Sequence, residues 1–133
     1  MSKIFIVDDD IFITRMYERA FRFANHETEI AYDGTEALLR LETMNPLPDI
    51  VALDAIMPKM NGLEVLQEIR STERLKNIPV VILTNSIKKE DAEEFLKLGA
   101  SFFLIKMDQD SREIVRKIEE IIKREANPLK EYD

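Results

Sequence analysis

The sequence predicts an α/β protein: a doubly wound parallel sheet of five strands, each followed by a helix. Three observations predict it. Five short apolar runs are rich in β-branched and aromatic residues, segments of helical period lie between them, and turn-forming residues stand at the junctions. Parallel strands need crossover connections, and those connections are right-handed, so the helices cover both faces of the sheet.

The first run, Lys3–Val7, precedes a helical face made of Ile13, Met16, Tyr17, Ala20 and Ala24. The second run, Glu27–Ala31, leads into an Asp33–Gly34 turn and a face of Ala37, Leu38 and Leu41. Pro46 and Pro48 break the chain before the third run, Ile50–Leu53. Leu63, Leu66 and Ile69, with Val65 beside them, form the next face. The fourth run is Val80–Leu83, and Ala92, Phe95, Leu96 and Gly99 follow it, with the glycine placed where a helix should stop. The fifth run, Ser101–Ile105, precedes Ile114, Ile118, Ile121 and Ile122, and Asp110 with Glu113 is spaced as a capping box before them. All five runs read as strands buried on both faces rather than alternating ones. The domain is expected to span 1–125, with Pro128 ending the last helix and a short tail over 126–133.

The totals narrow the function. A chain of 133 residues, 45% hydrophobic and 34% charged, suits one soluble domain with a real core. A net charge of −7 without a basic stripe argues against nucleic acid or an anionic membrane as a direct partner. The absence of cysteine excludes disulfides and thiolate metal sites. The N-terminus offers too short an apolar run for a signal peptide, and no segment reaches membrane-spanning length, so the expected compartment is the cytoplasm.

In open α/β sheets, ligands bind beyond the carboxyl ends of the strands. There the sequence sets Asp8, Asp9 and Asp10 after the first strand and Asp54 after the third. Thr84, Asn85 and Ser86 follow the fourth strand, and Lys106 the fifth. Carboxylates sharing a site disfavour one another's ionised forms unless a cation is present. An all-oxygen donor set with no His or Cys suits a hard cation such as Mg²⁺. A metal beside a lysine and a hydroxyl can hold the oxygens of a phosphoryl group. Asp54, alone at the end of a central strand, is the candidate nucleophile, and the grouped acids are the metal ligands.

With these residues in hand, residues 3–124 resemble the response regulator receiver domain of two-component signalling. The stretches IVDDD, AYDGTEAL, DIVALDAIMPKMNGLEVL, PVVILTNS and GASFFLIK carry the resemblance. It implies a flavodoxin-like sheet of strand order 2-1-3-4-5 in a stand-alone, chemotaxis-type receiver. It also implies that Asp54 takes phosphate from a phosphohistidine of a sensor kinase or phosphotransfer protein. Asp8 and Asp9 would hold Mg²⁺ with Asp54, and Ile56 would add its backbone carbonyl. Thr84 would be the switch hydroxyl, Phe103 the switch aromatic and Lys106 the lysine that meets the phosphate, with Ile56, Asn85 and Ser86 flanking the site. Asp10 would start the first helix, while Met57, Pro58 and Gly62 would form the loop after the acceptor.

The resemblance further implies a surface of fourth helix, fifth strand and fifth helix that responds to phosphorylation, with dimerisation through that face as one readout. The protein would catalyse only its own phosphorylation and dephosphorylation. The downstream protein or fused output domain is not specified. The sequence departs from the family at Met107, where a proline usually follows the lysine.

Three other functions compete with this one. A phosphohydrolase of the haloacid-dehalogenase type would use Asp8 as nucleophile in Asp8-x-Asp10, leaving Asp54 without a role. A docking receiver that is never phosphorylated would not need the full set of acceptor, acid pair, hydroxyl and lysine. A flavodoxin-like nucleotide binder would meet repulsion between its phosphate and three aspartates. His26, the only histidine, reads as a solvated loop residue.

Overall fold

A computed structural model describes residues 1–85, 87–106 and 110–126. In chain order the elements are β1 (Lys3–Val7), α1 (Ile11–Phe23), β2 (Glu27–Ala31), α2 (Gly34–Thr43) and β3 (Ile50–Leu53). They continue as α3 (Gly62–Ser71), β4 (Val80–Thr84), α4 (Lys89–Lys97), β5 (Phe102–Ile105) and α5 (Ser111–Ala126). The strands form one sheet in the order β2-β1-β3-β4-β5, and every neighbouring pair is parallel. Fold and strand order are those expected, and each predicted strand lies within one residue of its observed ends.

Alternation along the strands builds two cores. Phe5, Val7, Val51, Leu53, Val80 and Ile82 point to the face covered by α2, α3 and α4. Ile4, Ile6, Ile50, Ala52, Val81 and Leu83 point to the face covered by α1 and α5. Because β1, β3 and β4 are buried on both faces, they read in sequence as unbroken apolar runs. Burying a side chain such as Ile6 or Leu53 contributes about 1.5–3 kcal/mol relative to leaving it in water.

The helix starts are specified locally. Asp10 caps α1 by accepting from the N–H groups of Phe12 and Ile13. Asp33 caps α2, and Asn61 with Glu64 forms a reciprocal capping box on α3. Asp110 accepts from Glu113 N–H at 2.9 Å, which is half of the box expected there, since Glu113 turns to Arg116 instead. Each such cap is worth about 1 kcal/mol.

Four expectations are corrected. The edge strands β2 and β5 are only partly buried, because each has a single neighbouring strand and one side open to solvent. On α1 the sheet-facing positions are Thr14, Tyr17 and Phe21, whereas Met16 is 47% exposed. Thr14 is tolerated inside because its hydroxyl donates to Ile11 O at 2.9 Å. Leu96 likewise faces outward on α4, where Phe95 is the one buried residue.

His26 is not solvated. Its Nδ1 accepts from Ser2 N–H at 3.1 Å, and its Nε2 lies 2.6 Å from Glu119 Oε2 on α5. Phe21 meets the imidazole ring edge-on. A backbone donor at Nδ1 places the neutral ring's proton on Nε2, facing the carboxylate. The ring therefore joins the start of β1 and the loop before β2 to α5.

Residues 127–133, which hold Pro128 and all but the first residue of the expected tail, lie outside the described residues.

Candidate functional site

The register of the sheet brings the candidate residues together. Val7 of β1 lies opposite Leu53 of β3, so the residues that follow, Asp8 and Asp54, leave adjacent strands side by side. The backbone continues that pairing, with Asp54 N–H donating to Val7 O at 2.9 Å and Asp8 N–H to Ala31 O at 3.1 Å. On the other side of β3, Thr84 ends β4 opposite Ile105 of β5, and Lys106 is the next residue.

Oxygens of Asp8, Asp9 and Asp54, one from each carboxylate, lie within 4.8 Å of one another. Asp8 and Asp54 are buried, while Asp9 is exposed at the mouth. Asp10 takes no part in this cluster, since its carboxylate is occupied with the start of α1. The Asp10 N–H donates to Asp8 Oδ1 at 2.9 Å, so the turn that starts α1 also orients the first acid.

Lys106 reaches into the cluster from β5. Its buried ammonium pairs with Asp8 Oδ2 and sits 3.5 Å from Asp54 Oδ2. Burial, first of all, holds the Asp54 carboxyl above the ordinary aspartate range. Lys106 pulls in the opposite direction, and neighbouring Asp8 pushes upward again. Hydrogen bonds from the Ile56 N–H and the Thr84 hydroxyl favour the ionised form. Asp54 thus sits in a pocket built to hold a carboxylate but short of positive charge.

The other predicted residues fall into place around this centre. Thr84 is buried and Asn85 is exposed. The Ile56 side chain is 73% exposed beside the acceptor, while its backbone N–H serves Asp54. Phe103 turns away from the acids and stands edge-to-face with Phe95 of α4, centroids 5.7 Å apart. Ser86 and Met107 lie outside the described residues.

Glycines hold the surrounding loops close. A Cβ on Gly34 would lie 2.6 Å from Met60 O and from Val65 Cγ2, so the Asp33–Gly34 turn is where α2 packs against the loop after the acceptor. Lys59 of that loop reaches Asp33 at 3.5 Å.

Sequence reasoning missed one member of the site. Tyr17, taken for a core residue, is 2% exposed and lies within the field of the acid cluster. Burial and then the charges of Asp8, Asp54 and Asp10 push its phenol up to about 12. Its place on the buried stripe of α1, two turns after three aspartates, was the available signal. The neutral phenol is favoured in the fold, so this contribution is complete below the ordinary tyrosine pKa of about 10. It is lost as pH rises through about 12. An ultraviolet titration is expected to show a late phenol step near 12, and Tyr17→Phe is expected to remove it. A titration with no late step, or one in which the late step survives Tyr17→Phe, would contradict this placement.

Comparison with known proteins gives one consistent answer. Residues 4–119 match the family described as "Response regulator receiver domain". A transcriptional regulatory protein CpxR homolog from Haemophilus influenzae is 39% identical over 128 residues, covering 96% of this chain and 53% of that protein. The solved structure of chemotaxis protein CheY4 from Vibrio cholerae aligns with a TM-score of 0.83 at 29% identity, covering 91% of this chain and 98% of that one. The Mn²⁺-bound form of response regulator Rcp1 aligns with a TM-score of 0.79 at 31% identity, covering 90% of this chain and 92% of that one. The chain spans about half the length of the first curated relatives it matches.

Proposed function

The chain belongs to the response regulator receiver domain family, and from that premise we propose that it takes a phosphoryl group from a phosphohistidine onto Asp54. The donor would be a sensor histidine kinase or a phosphotransfer protein. The observation that carries this reading is the meeting of Asp8, Asp9, Asp54, Lys106 and Thr84 at one edge of the sheet.

The donor set fits a divalent cation. Three carboxylates within 4.8 Å face a single lysine, no His or Cys is present, and burial already disfavours the Asp54 anion. Asp8, Asp9 and Asp54, with the Ile56 carbonyl, would hold Mg²⁺, and a Mn²⁺-bound structural relative agrees with a metal of this class. Bound there, Mg²⁺ would supply charge neutralisation for the carboxylates and for the oxygens of a phosphoryl group.

The chain's own residues provide the rest. An Asp54 carboxylate oxygen forms the bond to phosphorus as the phosphorus–nitrogen bond of the phosphohistidine breaks. The departing imidazole keeps the electron pair and takes up a proton. Lys106 holds a fixed positive charge 3.5 Å from Asp54, and Thr84 offers a hydroxyl donor beside it. Positioning and charge compensation suffice for this chemistry, so no general base is required. The exposed Ile56 side chain and Asn85 would flank the route by which water reaches the acyl phosphate. In this reading the protein acts only on its own phosphoryl group.

The readout is proposed to run through Phe103. Its edge-to-face contact with Phe95 ties β5 to α4, and Phe95 is the only buried residue of that helix. Lys88 at the start of α4 supplies no side-chain cap, which leaves Phe95 as the helix's buried anchor. A phosphoryl group that draws Thr84 and frees Phe103 would therefore alter the α4-β5-α5 surface. That surface would engage a downstream protein or a fused output domain, with dimerisation as one form of response.

The haloacid-dehalogenase reading is disfavoured by Asp10. In that chemistry the second acid of Asp8-x-Asp10 is needed in the site, whereas here it caps α1.

Acetyl phosphate with Mg²⁺ is expected to give one phosphate adduct by intact mass, and none when a chelator removes the metal. No adduct in a protein shown by calorimetry to bind Mg²⁺ would contradict the proposal and favour a docking receiver.

A further inference from the structure

One link of the chain is chemically weak, and the fold holds it shut. Of the six asparagines only Asn61 precedes a glycine, and two others precede proline, which has no N–H to react. In an Asn–Gly link the glycine nitrogen, unhindered by a side chain, attacks the asparagine side-chain carbon. The new nitrogen–carbon bond closes a succinimide ring. The side-chain nitrogen leaves as ammonia and takes the proton that the glycine nitrogen gives up. Water then opens the ring at either carbonyl. One opening gives aspartate in an ordinary chain, and the other gives isoaspartate, in which the chain runs through the former side chain.

Three contacts oppose ring closure at Asn61–Gly62. The Gly62 N–H that must be lost donates to Ala55 O at 2.9 Å. The Asn61 side-chain carbonyl that must swing toward Gly62 accepts from Glu64 N–H at 3.0 Å. The Glu64 carboxylate in turn accepts from Asn61 N–H at 3.3 Å. Gly62 itself is buried, although Asn61 is exposed. The reaction therefore needs the first turn of α3 to lift from the acceptor segment, and its rate follows the population of that open form.

The two products differ in whether that turn can close again. Aspartate caps a helix as well as asparagine does, and its charge suits the helix start. Isoaspartate lengthens the backbone by one carbon, about 1.5 Å. The atoms that met Glu64 N–H become part of the chain, so the cap is lost. The site has no slack to absorb the extra carbon. Gly62 lies so close to the acceptor segment that even a Cβ would fall 2.4 Å from Asp54 O and 2.9 Å from Ala55 Cα.

We propose that Asn61–Gly62 is a self-modification site that records opening of the start of α3. It converts only from the open form, and the isoaspartyl product keeps that turn from reseating on the acceptor segment. The consequence for phosphoryl uptake rests on the reading of Asp54 given above, whereas the gating of the conversion does not.

The full chain is incubated in warm, mildly alkaline buffer beside a synthetic peptide of residues 57–67, which serves as the unfolded reference. Peptide mass analysis follows the mass gain of deamidation at position 61, and enzymatic methylation of the free carboxylate counts the isoaspartate there. Conversion in the folded chain is expected to be slower than in the peptide by about tenfold or more. Glu64→Ala removes half of the capping box and is expected to move the rate several-fold toward that of the peptide. The purified isoaspartyl form is expected to melt below the parent and to take phosphate from acetyl phosphate more slowly. Asn61→Asp, the other product, is expected to match the parent in both. Equal rates in chain and peptide, a rate that Glu64→Ala leaves unchanged, or an isoaspartyl form that melts like the parent would overturn the proposal. A parent that takes no phosphate, yet shows the gated rate and the lowered melting, would overturn the Asp54 reading and support this one.

Discussion

Lys106→Met is expected to lower the stability of the metal-free protein by about 3 kcal/mol at pH 7, the low end of the range for removing one partner of a buried ion pair. The ammonium is the cation that Asp8 and Asp54 share, and both acids are buried. After burial, Lys106 is also the largest influence on Asp54 and the largest that favours its ionised form. Without it, the folded-state affinity of the Asp54 carboxylate for protons rises further. A carboxyl whose folded pKa exceeds its unfolded one destabilises the fold as pH rises past the unfolded value near 4. The variant should therefore recover stability relative to the parent as pH falls toward 5. Millimolar Mg²⁺ at pH 7 should restore it as well, because a divalent ion replaces the missing charge. Urea unfolding followed by circular dichroism, with and without Mg²⁺, measures each of these. A variant as stable as the parent without metal would mean that Lys106 is not what balances the acids.

Gly62→Ala is expected to cost about 2–3 kcal/mol and to slow phosphoryl uptake, although glycine to alanine at a helix start ordinarily costs nothing. The added Cβ would fall 2.4 Å from Asp54 O and 2.9 Å from Ala55 Cα. Both neighbours are backbone atoms of the acceptor segment, so no side chain can rotate aside. Relief must come from moving the first turn of α3 away from β3. That turn is joined to the segment by the Gly62 N–H donating to Ala55 O at 2.9 Å. The shift would pull on the Ile56 N–H that orients the Asp54 carboxylate. Thermal melting and the rate of adduct formation from acetyl phosphate read the two effects. Parent-like values for both would show that the loop yields without cost.

The parts of this molecule legible in its sequence are those where local chemistry and global fold agree. Strands β1, β3 and β4 were plain because burial on two faces forces unbroken apolar runs. The caps Asp10, Asp33 and Asn61 act within three residues of their own position. The acid cluster was legible because charged residues directly after buried strands have few purely structural uses.

The rest depends on partners far away in the chain. His26 and Glu119 are 93 residues apart, and Lys106 and Asp8 are 98 apart, so no local pattern announces either pair. The partial exposure of β2 and β5 follows from their edge positions, which hydrophobic periodicity does not encode. Helix α1 misled for a related reason. It is apolar on two sides, so a period of 3.6 fits Met16 as well as Phe21, and packing alone decides between them.

The central claim is that Asp54, and not one of the acids beside β1, carries the phosphoryl group. Borohydride reduces an acyl phosphate to homoserine, which marks the modified position permanently. After acetyl phosphate and Mg²⁺, peptide mass analysis is expected to find homoserine at position 54 and nowhere else. Homoserine at position 8, with Asp54 unmodified, would contradict the account and make Asp8 the nucleophile.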